Sequence, residues 1–129
     1  MCGKFLLDTN IIIALFGGEA GVKERLALAG EVFISSIVLG ELYYGAHKSQ
    51  RAQENLARLD DFAASCAILI CDRETAREYG MIKNQLLQQG RPIPENDIWV
   101  AATAQQHNLT LITRDDHFSE VAKLKMEVW

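Results

Sequence analysis

Short apolar runs alternate along this chain with longer segments of helical period. Residues 4–8, "KFLLD", form an apolar run closed by an acid and read as a buried strand. Thr9 and Asn10 are good helix N-caps, and "NIIIALF" starts a short helix stopped by Gly17 and Gly18. "EAGVKERLALAG" reads as a second helix ending at Gly30. "VFIS" is a β-branched and aromatic strand, and "SIVLGELYYGAHKS" a helix after it. In "RAQENLARLDDFAAS", Leu56, Leu59, Phe62 and Ala63 recur at helical spacing. "AILI" is a third strand, after which Asp72 is placed to cap the long helix "RETAREYGMIKNQLLQQG". The Pro-rich loop "RPIPEN" feeds the helix "DIWVAATAQQHN". "LTLIT" is a fourth strand, "RDDHFSEVAK" a loop or short helix, and "KMEVW" a candidate last strand. This alternation predicts one α/β domain over residues 1–129, with a mostly parallel sheet and helices on both faces.

Composition narrows the class. The 129 residues suffice for one domain with one core. No apolar run approaches the ~20 residues of a membrane span, and the short apolar N-terminal stretch ends at Asp8, unlike a secretory signal. The expectation is therefore a cytoplasmic protein with no membrane partner. Cys2, Cys66 and Cys71 are odd in number and form no C-x-x-C, against a disulfide framework and against a zinc site. Cys66 and Cys71 flank "AILI" and read as small core residues. With 17 acids against 13 bases the net charge is −4, whereas proteins that bind nucleic acid by surface charge alone are usually basic. Either the acidity is local to a site, or nucleic acid is the wrong partner.

Four acids sit where acids are costly. Asp8 ends the first strand and Asp115 follows the fourth, so both belong at the carboxyl edge of the sheet, where such folds bind ligands. Glu41 has Ile37, Val38, Tyr44 and Gly45 as helical neighbours. Asp97 starts a helix beside Val100 and Ala101. Three have a bland reading, Asp8 as a helix cap, Asp97 as a first-turn acid and Asp115 as a turn residue, while Glu41 is the least bland, because Glu on an apolar face needs a partner. Taken jointly, folding could gather them. Gathered carboxylates must take up protons unless a cation lies among them, and a hard ion such as Mg²⁺ or Mn²⁺ suits oxygen ligands. With those four set aside, the remaining acids equal the bases in number.

"LLDTNIII", "SSIVLGELYYGA", "IPENDIWVAATA" and "LITRDDHF" resemble the four motif blocks of PIN-domain ribonucleases, and more narrowly of the VapC toxins of toxin–antitoxin systems. The blocks stand in the family's order over essentially the whole chain. The resemblance implies a parallel sheet of four or five strands. It also implies an Mg²⁺- or Mn²⁺-dependent endoribonuclease that cuts structured RNA, with tRNA favoured and ribosomal RNA an alternative. A cognate antitoxin would hold the toxin inactive and contact operator DNA, and the toxin is expected as a homodimer.

By the same resemblance Asp8, Glu41 and Asp97 are metal-binding acids, and Asp115 is the fourth, with Asp116 beside it as the alternative. Asp8 and Asp97 lead as ligands. Glu41 binds through water or acts as general base, and Asp115 completes the pocket or holds a second ion. Ser36 and Thr113 take supporting roles, and Asn10 orients Asp8 or caps the helix. Arg114, beside Asp115, and Arg91, in the loop just before Asp97, are the chosen RNA contacts. His47, His107 and His117 show no metal-ligand spacing and are set aside. Trp99 and Trp129 read as core or dimer residues. The helices "GVKERLALAG" and "NLARLDDFAAS" carry apolar faces in the region that the family uses to grip its antitoxin. Two other classes compete. A receiver-type phosphoacceptor domain could use Asp72, but it wants a second acid beside Asp8, where Thr9 stands. A non-catalytic PIN-like binding protein has no need of four filled acidic positions.

Overall fold

The computed structural model describes residues 3–129, so Cys2 lies outside the described residues. The strands are β1 (Lys4–Leu7), β2 (Glu31–Ser35), β3 (Ala67–Leu69), β4 (Thr110–Ile112) and β5 (Met126–Glu127). They form one sheet in the order β3-β2-β1-β4-β5, and every pairing is parallel. The helices are α1 (Thr9–Phe16), α2 (Ala20–Leu28), α3 (Ser36–Lys48), α4 (Ala52–Ala64), α5 (Arg73–Gln88) and α6 (Glu95–Gln106). A 3-10 helix spans Asp116–Glu120.

The central strands are apolar because a parallel sheet covered by helices is buried on both faces. Leu6, Leu7, Ile34, Leu111 and Ile112 are all essentially inaccessible. α1 to α4 pack as one group and α5 against α6 as another. Strand order runs outward from β1 through β2 to β3, then reverses to β4 and β5. Right-handed crossovers on the two sides of that reversal place the two helix groups on opposite faces. The reversal also opens a crevice between the carboxyl ends of β1 and β4, where ligands of open α/β sheets bind. Leu7 pairs with Ile112, so Asp8 and Thr113 leave the sheet side by side.

Several local expectations change. Asp8, not Thr9 or Asn10, caps α1: its backbone is extended and its Oδ1 accepts from Thr9 N–H at 2.9 Å. Ser35, fully buried, caps α3 by accepting from Val38 N–H, so Ser36 is already helical. α6 starts at Glu95 with Pro94 as cap, because the fixed φ of proline suits that entry; Asp97 is then the third helical residue. Asp72 does cap α5, and Thr75 returns the bond in a capping box. Cys71 is exposed rather than a core residue, since it follows the edge strand β3, and Cys66 is half-buried. Trp99 stacks on Tyr79 with centroids 4.1 Å apart, and Trp129 meets Phe5 edge-on at 5.4 Å. Among the described residues no helix is long and apolar enough to cross a membrane.

Candidate active site

Asp8 is only 6% exposed, yet it is a carboxylate. Its Oδ1 caps α1, and its Oδ2 accepts from the Thr113 hydroxyl at 2.7 Å. Thr113 is fully buried. Its Oγ1 in turn accepts from Asp115 N–H at 3.0 Å, so one hydroxyl sets the relation between Asp8 and the turn carrying Asp115. Asn10 extends the same web. Its Nδ2 lies 3.4 Å from Asp8 Oδ2, and its Oδ1 accepts from Arg114 N–H at 3.2 Å. Even with these donors, burial raises the Asp8 carboxyl above its ordinary range. The hydrogen bonds from Thr113 and Thr9 pull it down, and the charges of Glu41 and Asp115 push it further up.

Asp97 reaches the same crevice from α6. Burial drives its pKa up to about 6, a hydrogen bond from His117 opposes this, and the charges of Asp8 and Asp115 add to the rise. These three carboxylates therefore feel one another. Glu41 comes from α3, where Thr9 Oγ1 donates to its Oε1 at 2.9 Å and Asn96 Nδ2 makes a long contact of 3.5 Å with Oε2. The fold thus brings Asp8, Glu41, Asp97 and Asp115 to one edge. Asp115 caps the 3-10 helix, while Asp116 is that helix's exposed first residue, so Asp115 is the one that faces the others. The donors are carboxylate oxygens, half-buried and mutually repelling, a set that fits a hard divalent cation.

Other expected residues behave differently. Ser36 does not join the acids; its hydroxyl meets the Cys71 thiol beyond the end of β3, because the capping position belongs to Ser35. Arg114 adjoins Asp115 in sequence, but its guanidinium turns to Glu19 at 2.8 and 3.1 Å and its Nε donates to the Trp129 carbonyl. Arg91 pairs with Glu120 at 3.3 Å. His117, set aside on spacing, lies with Nδ1 3.3 Å from Asp97 Oδ2 and 3.0 Å from Asp115 Oδ1. Only the bend of the 3-10 helix makes an i,i+2 pair converge in this way, and periodicity carries no sign of it. Thr9 was legible as a cap but not as the partner of Glu41.

Beside the acids runs a groove of about 310 Å³, lined by Ile13 and Phe16 of α1, Leu42 and Ala46 of α3, and Leu59 of α4. Thr9 and Glu41 form part of its wall, so groove and acid pocket adjoin. Ile13 is 58% exposed in it. The sequence offered one face, of α2 or of α4, as an exposed groove, with plain core packing as the alternative. In the fold α4 contributes, and α1 and α3 take the place of α2.

The PIN domain family matches residues 5–124. The tRNA(fMet)-specific endonuclease VapC of Shigella flexneri is 39% identical over 129 residues, covering 98% of both chains. Ribonuclease VapC2 of Haemophilus influenzae is 38% identical over the same span and coverage. Among solved structures, VapBC2 from Rickettsia felis, bound to a DNA fragment from its promoter, superposes with a TM-score of 0.90. Identity there is 32%, and 98% of each chain is covered. The chain belongs to the PIN-domain family and, within it, to the VapC proteins.

Proposed function

We propose that this chain is a VapC endoribonuclease toxin of the cytoplasm, cutting structured RNA with the help of Mg²⁺ or Mn²⁺. The single observation that supports it best is the crowding of Asp8, Asp97 and Asp115 at the switch point of a parallel sheet. There burial and mutual repulsion raise two of their pKa values. Acids held in that state are poised to exchange protons for a cation. Asp8 and Asp97 would hold the ion, Glu41 through water, and Asp115 would close the pocket. When bound, such an ion supplies neutralisation of phosphoryl charge and acidifies the attacking water.

The chain's own residues do the rest. Thr113 and Asn10 hold Asp8 Oδ2, and Thr9 fixes Glu41 Oε1, leaving Oε2 to take a proton from the attacking water. Arg91 and Arg114 are exposed ion pairs in the free protein. Such pairs exchange readily, so a phosphate can compete for either guanidinium. The name of the Shigella relative favours tRNA as the RNA. The Rickettsia complex favours a cognate antitoxin as partner, with operator DNA reached through that complex. The groove beside Glu41 suits an apolar antitoxin segment.

The test uses purified chain, total tRNA and either Mg²⁺ or Mn²⁺. Cleavage should require the metal, stop with chelator, and fall below detection in Asp8→Asn. Equal cleavage by the variant, or in excess chelator, would refute the reading.

A further inference from the structure

We propose that His117 is a nitrogen ligand of the divalent cation, joining Asp97 and Asp115 in holding it. The inference rests on the metal site proposed above and adds a donor that is not an acid. One ligand atom from each of Asp97, Asp115 and His117 lies within 4.8 Å of the other two. Two of the separations carry more weight. His117 Nδ1 is 3.3 Å from Asp97 Oδ2 and 3.0 Å from Asp115 Oδ1. An octahedral ion with bonds near 2.1 Å holds adjacent ligands about 3 Å apart. Both edges at the imidazole therefore already have the span of neighbouring ligands on one ion.

The imidazole is also held in place. His117 N–H donates to Asp115 Oδ1 at 3.0 Å, and Asp115 N–H donates to buried Thr113. The next residue, Phe118, is fully buried and anchors the 3-10 helix. The half-exposed ring is thus the free end of a fixed turn. Among the described residues no Lys or Arg makes an ion pair with Asp8, Asp97 or Asp115. Arg114, the nearest base in sequence, is committed to Glu19. His117 is therefore the basic group that the fold offers these acids.

Two roles would give this geometry. The ring either donates a proton to both carboxylates and is displaced by the cation, or it gives its Nδ1 lone pair to the cation. Both separations suit either role; the proposal takes the second, in which the ring already stands at ligand spacing and need not be displaced. Its consequence is a change of preference, because imidazole binds the later divalent ions better than it binds Mg²⁺.

The experiment titrates the full, metal-free chain with MnCl₂ and with MgCl₂ by calorimetry. The Mn²⁺ form is then examined by pulsed electron paramagnetic resonance. Wild type should show nitrogen hyperfine coupling from a directly bound imidazole. His117→Gln should lose that coupling and bind Mn²⁺ about tenfold more weakly, with a smaller loss for Mg²⁺. Coupling absent from wild type, or persisting unchanged in His117→Gln, overturns the proposal; the second result would place the ion on His47, His107 or another nitrogen. Mn²⁺ bound by oxygen alone removes His117 and leaves the acid site standing. Failure of wild type to bind either Mn²⁺ or Mg²⁺ removes both.

Discussion

Replacing Asp97 by Asn should stabilise the metal-free protein at neutral pH. The carboxyl's pKa stands at about 6 in the fold against 3.8 for the free group. A raised value means that folding favours the protonated form. The stabilising contribution is complete below 3.8 and is lost as pH rises through about 6. At roughly 1.4 kcal/mol per pH unit, ionised Asp97 opposes folding at pH 7.5 by about 3 kcal/mol. The side chain is only 16% exposed, so solvent screening trims this figure little. Asn keeps the shape and stands in for the protonated carboxyl, and the opposing bond from His117 is already contained in the value of about 6. The net gain should be about 3 kcal/mol, or a rise in Tm on the order of 10 °C. Thermal and urea unfolding in chelator from pH 3.5 to 8 provide the assay. The gain should appear across pH 4 to 7 and vanish at the acid end. Saturating Mn²⁺ should then reverse the order, since binding stabilises wild type by mass action. A variant less stable than wild type at pH 7.5 in chelator, or a difference that ignores pH, would refute the reasoning.

Thr113→Val keeps the volume but removes the hydroxyl shared by Asp8 and Asp115 N–H. Urea unfolding at pH 7 should show a loss of about 2–4 kcal/mol, and a change under about 0.5 kcal/mol would contradict that role. Glu41→Gln should lower the single-turnover cleavage rate by about 10²–10⁴-fold while Mn²⁺ affinity holds within a few-fold. An unchanged rate removes Glu41 as the base. Ile13→Asp places a charge on the exposed wall of the groove. It should leave Tm and RNA cleavage near wild type but abolish co-purification with a co-expressed antitoxin; persistent co-purification moves the interface elsewhere.

The order of elements was legible because buried parallel strands and amphipathic helices impose different apolar spacings. β1, β2, α3, α5 and β4 lie within a residue or two of their expected places. Boundaries drifted where a cap decides them. Nothing in "LLDTN" says whether Asp8, Thr9 or Asn10 takes the extended backbone of the cap, and Asp8 does. The candidate site was legible as four acids in poor surroundings, since a carboxylate among apolar residues announces itself. Its supports were not. The Thr9 hydroxyl on Glu41 and the Thr113 hydroxyl on Asp8 depend on contacts 32 and 105 residues apart in sequence. The Glu19 partner of Arg114 was not legible either, because adjacency in sequence says little about direction. Residues 114 and 115 leave the end of β4 on different headings, one toward Glu19 and one toward the acids.

The pairing of β1 with β4 has a consequence in time. Asp8 leaves the ribosome 105 residues ahead of Thr113, the residue whose hydroxyl holds its Oδ2, and Thr113 follows the strand that pairs with β1. At translation speeds of roughly 5–20 residues per second, Asp8 waits on the order of ten seconds for its partner. Until then its crevice has one wall. A nascent chain, or any product stopped before β4, carries three of the four acids but lacks Thr113, which ties Asp8 to the turn of Asp115. Strand order thus makes the complete relation among the acids a late event in the synthesis of each molecule.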